Sequence, residues 1–180
     1  METPFEAFMA DLHLAGRLVQ TEAAGAGSER LPERLNAGAP LDVTDLRFVA
    51  VQPGDPTETG QLSAATVDPD ELLLVVPPAE AQAGYVHAAH HPVVLELGPY
   101  RVSGDLATLP GFDPGRALAR PSGQFITLKD VRVEAPTADG PFVRRYAVVL
   151  VNRYTVERVW SDIDLSFFFP GARHEGRPEA

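Results

Sequence analysis

His87, His90 and His91 form the only local histidine cluster in this 180-residue chain. On a helix, position 87 lies one turn from both 90 and 91, which would let two imidazoles face one metal ion. A complete site needs a third ligand. Glu80 and Asp105 are available, and nothing in the spacing selects either. The same histidines also fit an ordinary solvated linker, so no resident cofactor is expected. The carboxylate pairs Asp68/Asp70 and Asp162/Asp164 share a strand face, but acids in turns usually cap or solvate. There is no cysteine, no Gly-x-Ser-x-Gly, no glycine-rich phosphate loop and no His-Glu-x-x-His. Nucleophile and metal-hydrolase templates all lack their parts, and the expectation is a protein that is not an enzyme.

What remains is binding chemistry, and it is unevenly distributed. Residues 1–85 carry 14 acidic and 4 basic side chains, whereas residues 86–180 carry 11 of each. The whole formal charge of -10 therefore lies in the first half, which would repel a long anionic polymer. The second half, with Arg144, Arg145, Arg153 and Arg158 close together, is open to such a ligand, although solvated strand positions account for the same residues. Phe167-Phe168-Phe169 precedes Pro170-Gly171 near the C-terminus. That cluster either docks on the protein's own body or serves as a hydrophobic interaction arm.

The elements that must position these groups occur twice. Leu12 to Leu18 and Tyr100 to Leu106 are alternating stretches, each centred on a glycine. Gly38 to Phe48 matches Gly123 to Val133 without a gap, and Val67-Asp68 running to Leu72 and Val75 matches Val151-Asn152 running to Val156 and Val159. Three blocks in one order at nearly one offset predict two structural repeats. Alternation breaks at Asp45 and again at Asp130, which predicts a bulge or a turn at the same place in each repeat. Phe5, Phe8, Met9 and Leu12 have helical spacing after Thr3-Pro4, predicting a short N-terminal helix over residues 2–11. Glu29 to Leu35 suits one or two helical turns, and alanine-rich Ala79 to His91 suits a linker helix ended by Pro92. Strands are expected over 41–51, 61–67, 71–76, 93–97, 100–106, 125–133, 142–151 and 154–160.

The order of elements in 100–160 resembles that of the Sm-like proteins of the Hfq type. The likeness is carried by Val102-Ser103-Gly104-Asp105-Leu106, by Phe125 to Asp130, and by Val148 to Val156, where a strand turns on Asn152-Arg153. It extends more faintly to 12–76. The chain also resembles an uncharacterised bacterial family of small β proteins with a Gly-centred strand, a Phe-x-x-Leu-x-Asp-x-x-Val strand and a Val-Asn-Arg turn. The Sm-like resemblance implies nucleobase contacts near Lys129, Asp130, Asn152 and Arg153. The first repeat has Thr44, Asp68 and Pro69 where the second has Lys129, Asn152 and Arg153, so only the second repeat keeps the donors.

The expected fold is mainly β, with two tandem small barrels of Sm-like or SH3-like type, a short N-terminal helix and a helical linker. The expected organisation is a first barrel over 1–78, a linker over 79–92, a second barrel over 93–161 and a tail over 162–180. Met1 to Glu6 is acidic where a signal peptide is basic, and no apolar run approaches the ~18 residues of a membrane span, so the expected location is cytoplasmic. The expected role is a protein-interaction or assembly module, partnered by another protein or by itself. RNA binding through the second repeat is the alternative.

Overall fold

The computed structural model describes residues 2–19, 31–51, 59–78, 89–108, 123–137 and 140–176. Among the described residues there are eleven strands and one short helix, the first series being β1 (Glu2–Phe8), β2 (Leu12–Val19), α1 (Leu31–Asn36), β3 (Leu41–Ala50), β4 (Thr59–Val67) and β5 (Leu74–Val76). The second series is β6 (Ala89–Leu97), β7 (Tyr100–Thr108), β8 (Phe125–Thr137), β9 (Gly140–Asn152), β10 (Arg158–Ser161) and β11 (Arg173–Glu175). A 3-10 turn at Pro69–Glu71 leads into β5, with the Asp68 carboxylate accepting from the Asp70 amide. No helix among the described residues is long and apolar enough to cross a membrane.

All eleven strands form one open sheet, in the order β11-β10-β6-β7-β8-β9-β5-β1-β2-β3-β4. The expectation of a mainly β protein holds, while two separately closed barrels give way to a continuous sheet. The duplication is visible in it: β5-β1-β2-β3-β4 and β10-β6-β7-β8-β9 run in the same internal order. The two series meet where β5 pairs antiparallel with β9, Leu74 opposite Val151 and Val75 opposite Leu150.

The repeated glycine and aspartate form one mechanical device. Asp45 and Asp130 both adopt φ of +50°, the left-handed conformation that Asp and Asn tolerate better than most side chains. Opposite each, the ladder slips by a residue, between Ala15 and Arg17 and between Ser103 and Asp105. The glycine in each gap lets the bulged strand come close. A Cβ on Gly16 would lie 2.9 Å from the Thr44 carbonyl, and one on Gly104 would lie 2.9 Å from the equivalent carbonyl of Lys129. Of the bulge or turn expected from broken alternation, both repeats carry the bulge.

The N-terminal segment is β1 rather than a helix. Phe5, Ala7 and Phe8 are all buried, because β1 lies inside the sheet between β2 and β5 and packs on both faces. A strand buried on both faces loses its alternation, which is how the Phe5/Phe8 spacing came to mimic a helix. Pro4 lies outside Glu6–Phe8, the stretch that pairs with β5, where a missing amide is tolerated. The linker helix is also corrected at its end, since Ala89, His90 and His91 belong to β6; residues 79–88 lie outside those described.

The apolar interior forms two clusters, and each draws on both repeats. Phe125 and Leu150 pack with Phe5, Leu14, Leu35, Leu41 and Leu72, while Phe8, Val51, Leu73 and Leu74 pack with the core of the second series. Polar contacts reinforce the exchange. Asn36 in α1 accepts from the Phe125 amide at 2.7 Å, and Tyr100 donates to the Met9 carbonyl at 2.9 Å.

Candidate functional site

The densest polar cluster among the described residues lies where the two series meet. Glu6 from β1 and His13 from β2 are cross-strand neighbours on one diagonal, since Phe8 pairs with His13 and Glu6 with Ala15. From the other series, β9 contributes Phe142, Arg144 and Tyr146, which alternate with Val143 and Arg145. One carboxylate oxygen, Glu6 Oε1, serves three partners: His13 Nε2 at 2.9 Å, the Tyr146 hydroxyl at 2.8 Å and Arg144 Nη1 at 3.1 Å. Below it, the His13 ring stacks on Phe8 at 4.5 Å, with Phe142 and Tyr146 edge-on to Phe8.

The electrostatics make this a clasp between the two series. Burial opposes ionisation of Glu6, but the bonds from His13 and Tyr146 and the nearby charge of Arg144 outweigh it and hold the carboxyl below its ordinary range. Burial, and then the bond to Glu6, push the Tyr146 phenol up, so it stays protonated as a donor. Glu6 Oε1 is thus served by three groups drawn from two repeats.

The residues marked by the sequence fall into separate places. Lys129 and Asp130 sit at the β8 bulge. Asn152 is the last residue of β9, opposite Phe125 at the far end of the β8–β9 ladder, and Arg153 follows it. Asn152 is 1% exposed and works on the seam: its Nδ2 donates to the Leu72 carbonyl at 3.0 Å and its amide to the Leu73 carbonyl at 2.9 Å. Arg153 is also buried, its amide donating to Gln124 O and its Nη2 to Phe167 O. The structure thus does not bring the four residues into one cluster.

His90 and His91 are consecutive in β6 and point to opposite faces, so these two do not share an ion; His87 lies outside the described residues. The His91 Nε2 is 3.0 Å from the Thr108 hydroxyl. Among the described residues no group of three His, Asp or Glu side chains is arranged to hold a metal. The Phe cluster divides: Phe168 and Phe169 enter the core of the second series together with Leu165, leaving Phe167 37% exposed. The tail therefore packs on its own chain through Leu165, Phe168 and Phe169.

Two accessible surfaces bear on binding. One is a hollow of about 510 Å³ lined by Ser103, Arg132, Arg145 and neighbours, where Arg132 and Arg145 are direct cross-strand partners. Arg132 is paired with Glu134 at 2.7 Å. The first repeat has Arg47 opposite Gln61 at the same place. The other is β4, the last strand of the sheet. Its sequence, Thr-Gly-Gln-Leu-Ser-Ala-Ala-Thr-Val, has no charged residue and no proline, and most of its side chains are exposed, Leu62 to 47%. This strand is legible in the sequence, but its terminal place in the sheet is not, since no local residue pattern encodes it. The seam clasp was also missed, because a helix over 2–11 removes Glu6 from the strand register that aligns it with His13.

No family model, no curated protein and no solved structure matches this chain.

Proposed function

We propose that the protein is a non-enzymatic interaction module that takes an extended protein strand onto the outer edge of β4. The observation that supports this reading is the character of that edge. Terminal strands usually carry Lys, Pro, bulges or extreme shortness to discourage pairing. Here a nine-residue terminal strand, uncharged and largely exposed, has no strand beside it among the described residues. An added strand would gain main-chain hydrogen bonds, with alternate side chains giving selectivity. The clasp around Glu6 fits this role by stiffening the sheet that presents the edge.

A display library of peptides of about ten residues, the length of an edge strand, tests the proposal. Binders are expected that are lost on Thr66→Pro and retained on Arg145→Ala. A library yielding no binder sensitive to β4 would overturn it.

A second reading is Sm-like nucleic-acid binding through the second repeat, favoured by the exposed Arg132–Arg145 pair, which the first repeat lacks. Arg132 is balanced by Glu134, and a phosphate would take the exposed Arg145 guanidinium beside it. Retention of single-stranded RNA at low salt, weakened by Arg145→Ala or Lys129→Ala, is the expected result under this reading. No retention at low salt would remove it.

A further inference from the structure

The duplication makes the join between the two series a template for a join between two copies. At that join, β5 receives β9 along its outer edge. The hydrogen bond that starts the pairing runs from the Asn152 amide to the Leu73 carbonyl at 2.9 Å. The sequence match that places Val67 on Val151 and Val75 on Val159 also places Leu73 on Glu157, β5 on β10 and the end of β4 on the end of β9. The match is geometric as well: the Leu73 amide donates to Phe8 O and the Glu157 amide to Glu96 O, both at 2.8 Å. Each repeat thus presents the same kind of edge, β5 in the first and β10 in the second.

In the second repeat that edge is filled by β11. The Glu157 carbonyl, equivalent to the Leu73 carbonyl that receives β9, accepts from the Arg173 amide at 2.8 Å. Pairing then continues parallel, Arg158 opposite Arg173, Val159 opposite His174 and Trp160 opposite Glu175. The cap is slight. β11 has three residues, all exposed, whereas the segment before it is anchored through Leu165 and Phe169 in the core. β11 can therefore lift away while the segment before it keeps its anchor.

We infer that β11 is a self-cap, and that the strand β4 is built to receive is the β10 edge of a second copy, exposed when β11 lifts away. This rests on the interaction reading above and names its partner. In register with the observed join, Val67 would oppose the second copy's Arg158 and Thr66 its Val159, as Val151 opposes Leu74 and Leu150 opposes Val75. Charge favours this head-to-tail arrangement over pairing β4 with another β4. The latter would set two acidic halves side by side, whereas β10 belongs to the half with no net charge. Because the two edges differ, the contact is heterologous and extends to rings or open chains of copies.

The full chain with Arg173→Pro and Glu175→Pro tests this. The first substitution removes the donor to Glu157, and the second removes the next amide on the same side of the strand. The weight-average mass from light scattering is expected to rise about twofold or more with increasing concentration, as mass action requires. Adding Thr66→Pro should return it to one chain: the equivalent Leu150 amide lies on the same side as that of Asn152, so this proline removes a donor facing the newcomer and none facing β3. A complementary variant, Arg158→Cys with Arg173→Cys, places two cysteines at paired positions in a chain that has none. Once oxidised it should stay at one chain mass under all these conditions.

Folded uncapped chains that stay at one chain mass overturn the inference, as does association that Thr66→Pro leaves unchanged. If proline at 173 and 175 unfolds the chain, truncation after Ala172 gives the same readout. Peptide binders sensitive to β4 alongside a monomeric uncapped chain would refute the self-association while leaving the interaction reading intact; absence of both would refute both.

Discussion

At Glu6, one carboxylate oxygen holds two strands of one repeat and one strand of the other. A partly buried carboxylate with charge-assisted partners loses about 1–3 kcal/mol when replaced by a neutral group that cannot satisfy the same donors. Glu6→Gln is therefore expected to lower unfolding stability by that amount at neutral pH, measured by urea denaturation. The pH dependence has a definite sign. A carboxyl depressed in the folded state stabilises above its unfolded value, near 4.5, and that contribution fades as pH falls through the lower folded value. Glu6→Gln should flatten this acid limb, and equal slopes for the two proteins would contradict the role given to the clasp. Arg144, about half exposed, should matter less, with Arg144→Ala costing under about 1 kcal/mol. Asn152, by contrast, is fully enclosed. Asn152→Ala strands the Leu72 carbonyl at the seam and should cost about 1–3 kcal/mol in the same assay.

The paired bulges are the device each repeat uses to bend its central strands. The glycine is fixed by the approach of a backbone carbonyl, and the aspartate by its positive φ. These constraints differ in kind, so their substitutions should differ in size. Gly104→Val places branched carbons against the Lys129 carbonyl and Val131, and overpacking of that sort costs about 1–3 kcal/mol. Asp130→Gly keeps the left-handed conformation available and should change stability by less than about 1 kcal/mol. Thermal denaturation of the two variants checks the order, and a larger loss at Asp130 than at Gly104 would be inconsistent with the geometry. The repeat, the glycine and the break in alternation were all legible in the sequence because local backbone requirements write themselves into local residue types. β1 was not legible as a strand, since burial on both faces erases the period on which recognition depends.

For the molecule as a whole, the consequence of one continuous sheet is that neither repeat owns its core. Phe125 and Leu150 complete the first cluster and Phe8, Leu73 and Leu74 the second, so separating the repeats would expose both. Calorimetry should show a single cooperative transition for the intact chain, with calorimetric and van't Hoff enthalpies equal. Two resolved transitions would mean that the repeats fold independently. By itself, the sequence determined the β character, the duplication, the paired bulges and the charge difference between halves, because each follows from residue type and spacing along the chain. Only the tertiary structure decided that the two copies share a sheet and interleave their cores. It also decided that Glu6 and His13 meet Tyr146, that Phe168 and Phe169 are consumed internally, and that β11 fills the edge on β10 while β4 has no strand beside it among the described residues. Those outcomes depend on which distant strands become neighbours, a choice made by the total burial and hydrogen bonding of the assembled sheet and by no single segment.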